Sequence, residues 1–168
     1  MHALLSSCLL IFLCLSCYQS DRWRNISIKT GNPQFNSAKL VYPATNFSHD
    51  LEVEFLYTAN TLHAYINVYS QTIAPYEGDE SVASLSLDVK GHHYHLLVDR
   101  LAGGQRLRIP DQSLDFFIQL LEKHSSLVLS LKEHYKTKIL CKDFKKHFNT
   151  LKTKPLPFVP NDPISLAL

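Results

Sequence analysis

The sequence predicts a mainly β domain, an antiparallel β-sandwich or strongly curved sheet with one or two short α-helices packed on it. Three observations carry this. Apolar and polar side chains alternate in several stretches, most clearly at Leu51, Val53, Phe55 and Tyr57 and again at Leu62, Ala64, Ile66 and Val68. A period of two puts such residues on one face of a strand. The turns between stretches, Ala59-Asn60 and Lys90-Gly91-His92, are short, which suits antiparallel neighbours and is too little chain for parallel crossovers. Helical spacing of apolar residues occurs in only two places, both in the second half of the chain.

The elements follow in order. Ile26 and Ile28 alternate with Ser27 and Lys29, and Leu40 to Tyr42 is a second short apolar stretch, so two short strands are expected, punctuated by Gly31-Asn32-Pro33 and Tyr42-Pro43. The stretches 51–57 and 62–69 form a hairpin about Ala59-Asn60. A loop around Pro75, Gly78 and Asp79 leads to a second hairpin, with Ala83, Leu85, Leu87 and Val89 on one face of its first strand and Tyr94, Leu96 and Val98 on one face of its second. After Gly103-Gly104, Leu107 and Ile109 point inward while Arg106 and Arg108 point out. Pro110-Asp111-Gln112-Ser113 opens a helix in which Asp111 or Ser113 is expected to accept from free backbone N–H groups, and Leu114, Phe117, Ile118 and Leu121 form its apolar stripe. Strands at 127–131 and 137–141 follow, then a short helix over 143–151 with Phe144, Phe148 and Leu151 on one side. The expected order is four to six strands, a helix, two strands and a helix.

Around this domain, assigned to 25–153, the sequence shows a leader over 1–16, a linker over 17–24 and a tail over 154–168 with prolines at 155, 157, 160 and 163. Residues 3–16 carry no charged side chain. At ~1.5 Å per residue this run is roughly 21 Å long as a helix, short of a bilayer core of ~30 Å. It suits the apolar region of a signal peptide, although only Met1 and His2 precede it. Three of the four cysteines, Cys8, Cys14 and Cys17, lie in or at the end of this leader, leaving Cys141 alone in the domain. An internal disulfide framework is therefore excluded, and Cys141, beside Ile139 and Leu140, reads as a buried small hydrophobe. The formal net charge of +2 gives no argument for a nucleic-acid partner.

Leu15-Ser16-Cys17 resembles the end of a bacterial lipoprotein signal, in which a small residue precedes a cysteine that is acylated and becomes the new N-terminus. Cys14 departs from the aliphatic residue usual there. The resemblance implies lipidation at Cys17, anchorage to the membrane of the cell envelope, and, with Tyr18 rather than Asp next, sorting to the outer membrane where there is one. The alternative is plain secretion toward an extracellular or host partner. The order of elements over 81–151 resembles small periplasmic sandwich domains of the invasion-associated locus B type, without that family's cysteine pair; this implies an envelope address and a sandwich, not an activity.

Three constellations offer chemistry. His93 and His95 share a strand face, about 7 Å apart at ~3.4 Å per residue, and with His63 from a neighbouring strand they would make a zinc or copper site; the plainer reading is a solvated strand face. Eight lysines between residues 132 and 154 face only Glu133 and Asp143. Lys138, Lys142, Lys145 and Lys146 among them form a candidate docking surface for an envelope protein, anionic lipid or glycan, or simply a solvated face. Tyr65, Tyr69 and Tyr76 form either a binding face or the lining of a second sheet. The sequons at Asn25 and Asn46 matter only in a eukaryotic secretory pathway. The carboxylates are not visibly paired, and no nucleophile elbow, P-loop, dinucleotide fingerprint or HExxH occurs. The expectation is a non-enzymatic exported binding or structural module without a cofactor.

Overall fold

The computed structural model describes residues 23–30, 36–132 and 135–153. The leader, Cys17, the Gly31-Asn32-Pro33 turn, Glu133 and the proline-bearing tail lie outside the described residues. The domain is mainly β. Strands β1 (Arg24–Ile28), β2 (Ser37–Tyr42), β3 (Glu52–Thr58), β4 (Thr61–Asn67), β5 (Val82–Val89), β6 (His92–Arg100) and β7 (Arg106–Ile109) precede helix α1 (Asp111–Lys123). Then come β8 (Ser126–Leu131), β9 (Tyr135–Leu140) and helix α2 (Phe144–Thr153). Among the described residues seven strands, not four to six, precede α1, because both short N-terminal stretches join the sheet.

The nine strands among the described residues all pair antiparallel in one sheet, ordered β1-β2-β3-β4-β7-β6-β5-β8-β9. The two tight hairpins have two-residue loops with both residues at positive φ, Ala59 and Asn60 at 47° and 62° and Lys90 and Gly91 at 51° and 82°. That geometry matches the right-handed twist of the flanking strands. One face of the sheet is apolar along its whole width, from Leu40, Phe55 and Ile66 to Leu107, Leu85, Leu129 and Ile139. Both helices lie on this face: α1 buries Leu114, Phe117, Leu120 and Leu121, and α2 buries Phe144, Phe148 and Leu151. The α1 start differs from expectation. Pro110 is its N-cap, no side chain caps it, and Ser113 N donates to Pro110 O instead. Proline holds the extended backbone needed there, and Asp111 complements the helix dipole from the first turn.

The sheet curls until its ends meet. Trp23 Nε1 donates to Leu140 O at 3.0 Å, Tyr42 Oη donates to Lys138 O at 3.3 Å and accepts from Leu140 N at 3.2 Å. Leu51 N donates to Thr137 Oγ1 at 2.6 Å. The free edge of β9 is thus occupied by side chains from the other end of the sheet, which satisfies backbone groups that would otherwise recruit another strand. Behind this seam an aromatic cluster centres on Phe55, whose ring lies 5.5 Å from those of Phe144 and Phe148 and 6.0 Å from Phe117. The opposite edge is different in character: Ile26 and Ile28 of β1 face solvent at 46% and 37% exposure, while Trp23 and Asn25 hold the inward positions.

Candidate functional site

The outward face of the sheet carries a groove of about 600 Å³ across β1 to β4 and β7. The pairing register explains its content. Position for position, Arg24, Val41, Glu54, Tyr65, Arg108 and Asp99 form one row across β1, β2, β3, β4, β7 and β6. Glu52, Asn67 and Arg106 form the next row on that face. Glu54 is 4% exposed although it points away from the core. Its Oε2 takes Lys39 Nζ at 3.2 Å and its Oε1 takes Arg106 Nη2 at 2.8 Å. Arg106 also lies over the Tyr65 ring, 3.9 Å from the centroid, a cation–π contact that fixes the guanidinium plane. A carboxylate is tolerated at this depth because two cations share it.

The loop after β6 forms one lip. Val68 N donates to Gln105 O and Ile73 N to Gly104 O, both at 2.8 Å. Arg100 locks the far side, donating through Nε to Ile73 O at 2.6 Å and pairing with Glu80 at 3.1 Å. Gly104, at φ 64°, lies so close that a Cβ there would sit 2.5 Å from both the Arg100 guanidinium and the Thr72 methyl. Tyr69 also lines the groove, and Phe47 packs against it. Tyr69 and Phe47 meet edge to face at 5.0 Å and stay 45% and 59% exposed. The Phe47 loop is rigid by construction: Asp50 Oδ2 accepts from Thr45 N and Asn46 N, Asn46 Oδ1 accepts from Ser48 N, and Ser70 Oγ donates to Ser48 O. Partial burial of the Tyr69 hydroxyl, then a hydrogen bond to Glu52 and the charge of that carboxylate, hold its pKa well above the usual tyrosine range. Glu52 also accepts from Asn67 Nδ2 at 2.9 Å. Tyr69 is therefore a neutral, braced ring beside planar polar side chains.

The predicted metal set does not assemble. β7 separates β4 from β6, so His63 stands two strand spacings from the His93 and His95 strand, roughly 10 Å at ~4.8 Å each. His93 Nδ1 pairs with Asp88 Oδ2 at 3.0 Å and His95 Nδ1 meets Ser86 Oγ at 3.2 Å. Among the described residues no three of His, Cys, Asp and Glu form a metal-holding group. Lys138, Lys142, Lys145 and Lys146 are all exposed, on β9, after it, and on α2. Asn46 is exposed, whereas the Asn25 amide donates to His147 O at 3.3 Å. Among the described residues no second sheet covers Tyr65, Tyr69 and Tyr76, since the described strands all belong to one sheet. The groove itself was not anticipated. Its signal was the outward set Glu52, Glu54, Tyr65, Asn67 and Arg106, which alternation puts on one face without showing which strands adjoin. The same alternation brings two carboxylates, Glu52 and Glu54, into one groove.

Cys141 is buried at 6% exposure, and loss of solvent pushes its thiol up to about 11 from an ordinary 9, partly offset by a hydrogen bond with the Leu127 backbone. The folded state thus disfavours the thiolate. Its contribution to stability is complete below the unfolded pKa and is lost as pH rises toward the folded value. Denaturant titrations should accordingly show stability falling between pH 9 and 11 more steeply for the parent than for Cys141→Ala. With Cys8, Cys14 and Cys17 changed to serine, Cys141 should react with a thiol reagent only as the domain unfolds; equal slopes or prompt labelling would show that the thiol is accessible.

Comparison with protein-family models, with curated proteins and with solved structures gives no match for this chain.

Proposed function

We propose that this protein is a non-enzymatic binding module of the bacterial cell envelope, exported by its apolar leader, anchored through an acylated Cys17, and built to hold a neutral glycan in the groove beside Tyr69. The carrying observation is the braced Tyr69 ring next to polar groups whose formal charges cancel, Lys39 and Arg106 against Glu52 and Glu54. A sugar ring offers a C–H face and a rim of hydroxyls. An aromatic face fits the first, and amide, carboxylate and guanidinium groups fit the second. An anionic ligand finds no uncompensated counter-charge in the groove, because both of its cations are committed to Glu54. Glu54 is committed to both cations and Glu52 to Asn67 and Tyr69, which speaks against a glycosidase, whose mechanism needs one carboxyl free to protonate the leaving group.

Calorimetric titration with chitotetraose, cellotetraose and maltotetraose tests the ligand class. Binding of at least one is expected, weakened about tenfold or more by Tyr69→Ala, on the scale of one lost aromatic contact. The absence of binding by all three would remove the glycan reading. Intact mass of protein recovered from its native host tests the address. A diacylglyceryl or triacyl mass that disappears in Cys17→Ser supports the anchor, and a lipid-free mature mass points to free secretion.

A further inference from the structure

The end of the groove on β1 and β2 holds apolar side chains that the core does not use. Val41 is 8% exposed, yet it shares the outward face with Lys39 and stands outside the buried core cluster. Ile26 also points outward and stays 46% exposed. Both line the groove. A lone exposed aliphatic residue is ordinary; what sets Ile26 apart is its company. By register it lies directly opposite Lys39, and Val41 lies directly opposite Glu54. Two aliphatic side chains, an ammonium group and a carboxylate therefore adjoin on one face of three successive strands.

The polar members have capacity to spare. Lys39 Nζ carries three donors, meets Glu54 Oε2 at 3.2 Å, and keeps 25% of its side chain exposed. Glu54 gives one oxygen to Lys39 and the other to Arg106, while a carboxylate offers about four acceptor sites. An N-acetyl group asks for all three of these features at once. Its methyl fits an apolar contact, its carbonyl a donor and its N–H an acceptor. A plain hydroxyl has no use for the apolar contact, and an acetyl ester has no N–H to give.

We propose that the Ile26 and Val41 end of the groove is a subsite for the acetamido group of an N-acetylated amino sugar. The methyl packs on Ile26 and Val41, the carbonyl accepts from Lys39, and the N–H donates to Glu54. This rests on the glycan reading of the groove and adds the class of sugar. β2 stands two strand spacings from β4, whose chain runs on to Tyr69, so roughly 10 Å at ~4.8 Å each separates the two ends. The ring on Tyr69 and the ring whose acetamido group reaches Ile26 are different units of one oligosaccharide.

Chitotetraose and cellotetraose share their linkage and differ in the acetamido group, which makes them the probes. Calorimetric titration should show chitotetraose binding about tenfold tighter or more, the scale of one buried methyl group and one hydrogen bond together. Ile26→Ser should shrink that preference to less than about threefold. Ile28→Ser, on the same strand but outside the groove lining, should keep it. Both positions are exposed, so neither change empties the core. Equal or tighter binding of cellotetraose would overturn the subsite and leave the glycan reading standing. A preference for chitotetraose that survives Ile26→Ser would do the same. Binding of neither, nor of maltotetraose, would remove the glycan reading and the subsite with it.

Discussion

Replacing Trp23 by alanine is expected to cost about 3–5 kcal/mol of folding stability, the range for emptying a large buried aromatic site. The side chain is 3% exposed, its ring lies 5.1 Å from Tyr42 and 4.9 Å from Phe144, and its indole N–H occupies Leu140 O. Removal opens a cavity in the aromatic cluster and leaves an edge carbonyl of β9 without its donor. Trp23→Phe separates the two effects. It keeps most of the packing and should cost about 1–2 kcal/mol, chiefly the unsatisfied carbonyl. Urea titration followed by far-ultraviolet circular dichroism measures both. A cost below about 1 kcal/mol for the alanine variant would show that the seam contributes little to holding the sheet closed.

The second large effect is expected at Glu54. Changing it to alanine leaves Lys39 and Arg106 facing each other without the carboxylate that both contact. Breaking a fully buried pair from one side costs about 3–5 kcal/mol. Lys39 and Arg106 retain 25% and 37% side-chain exposure, so water rescues part of this, and about 2 kcal/mol is the expected loss. Replacing all three residues by apolar side chains of similar volume, Lys39→Met, Glu54→Leu and Arg106→Met, should return stability to near the parent value, since such triads are often dispensable for stability. It should not restore oligosaccharide binding. Equal instability of the single and triple variants would mean that Glu54 acts through something other than the two cations.

Much of the fold was legible locally. Alternation placed Val53 and Phe55, Ala64 and Ile66, and Leu85 and Leu87 inward, and the structure buries all six. Helical spacing picked out Leu114, Phe117 and Leu121, and Phe144, Phe148 and Leu151, which are buried too. A period of two does not reveal which parity faces the core when both carry apolar groups, and so β1 offered no guide to Ile26 facing out and Trp23 facing in. Strand order is a non-local property. Nothing within β4 or β6 says that β7 comes between them, and that insertion is what parts His63 from His93 and His95. The groove was hidden for the same reason: Arg106 reaches Glu54 from 52 positions along the chain. The cap of α1 was misread because a proline with extended backbone does by geometry what a side-chain oxygen usually does by hydrogen bonding.

The seam also sets a clock. Trp23 is made early and its partner Leu140 comes 117 residues later. At about 5–20 residues per second, synthesis alone keeps the two apart for roughly 6 to 23 seconds. During that interval the outer strands lack their final neighbours, and the aromatic cluster lacks Phe144 and Phe148. For the export proposed above such a delay is useful: the last turn of the sheet cannot close until almost the whole domain has been delivered.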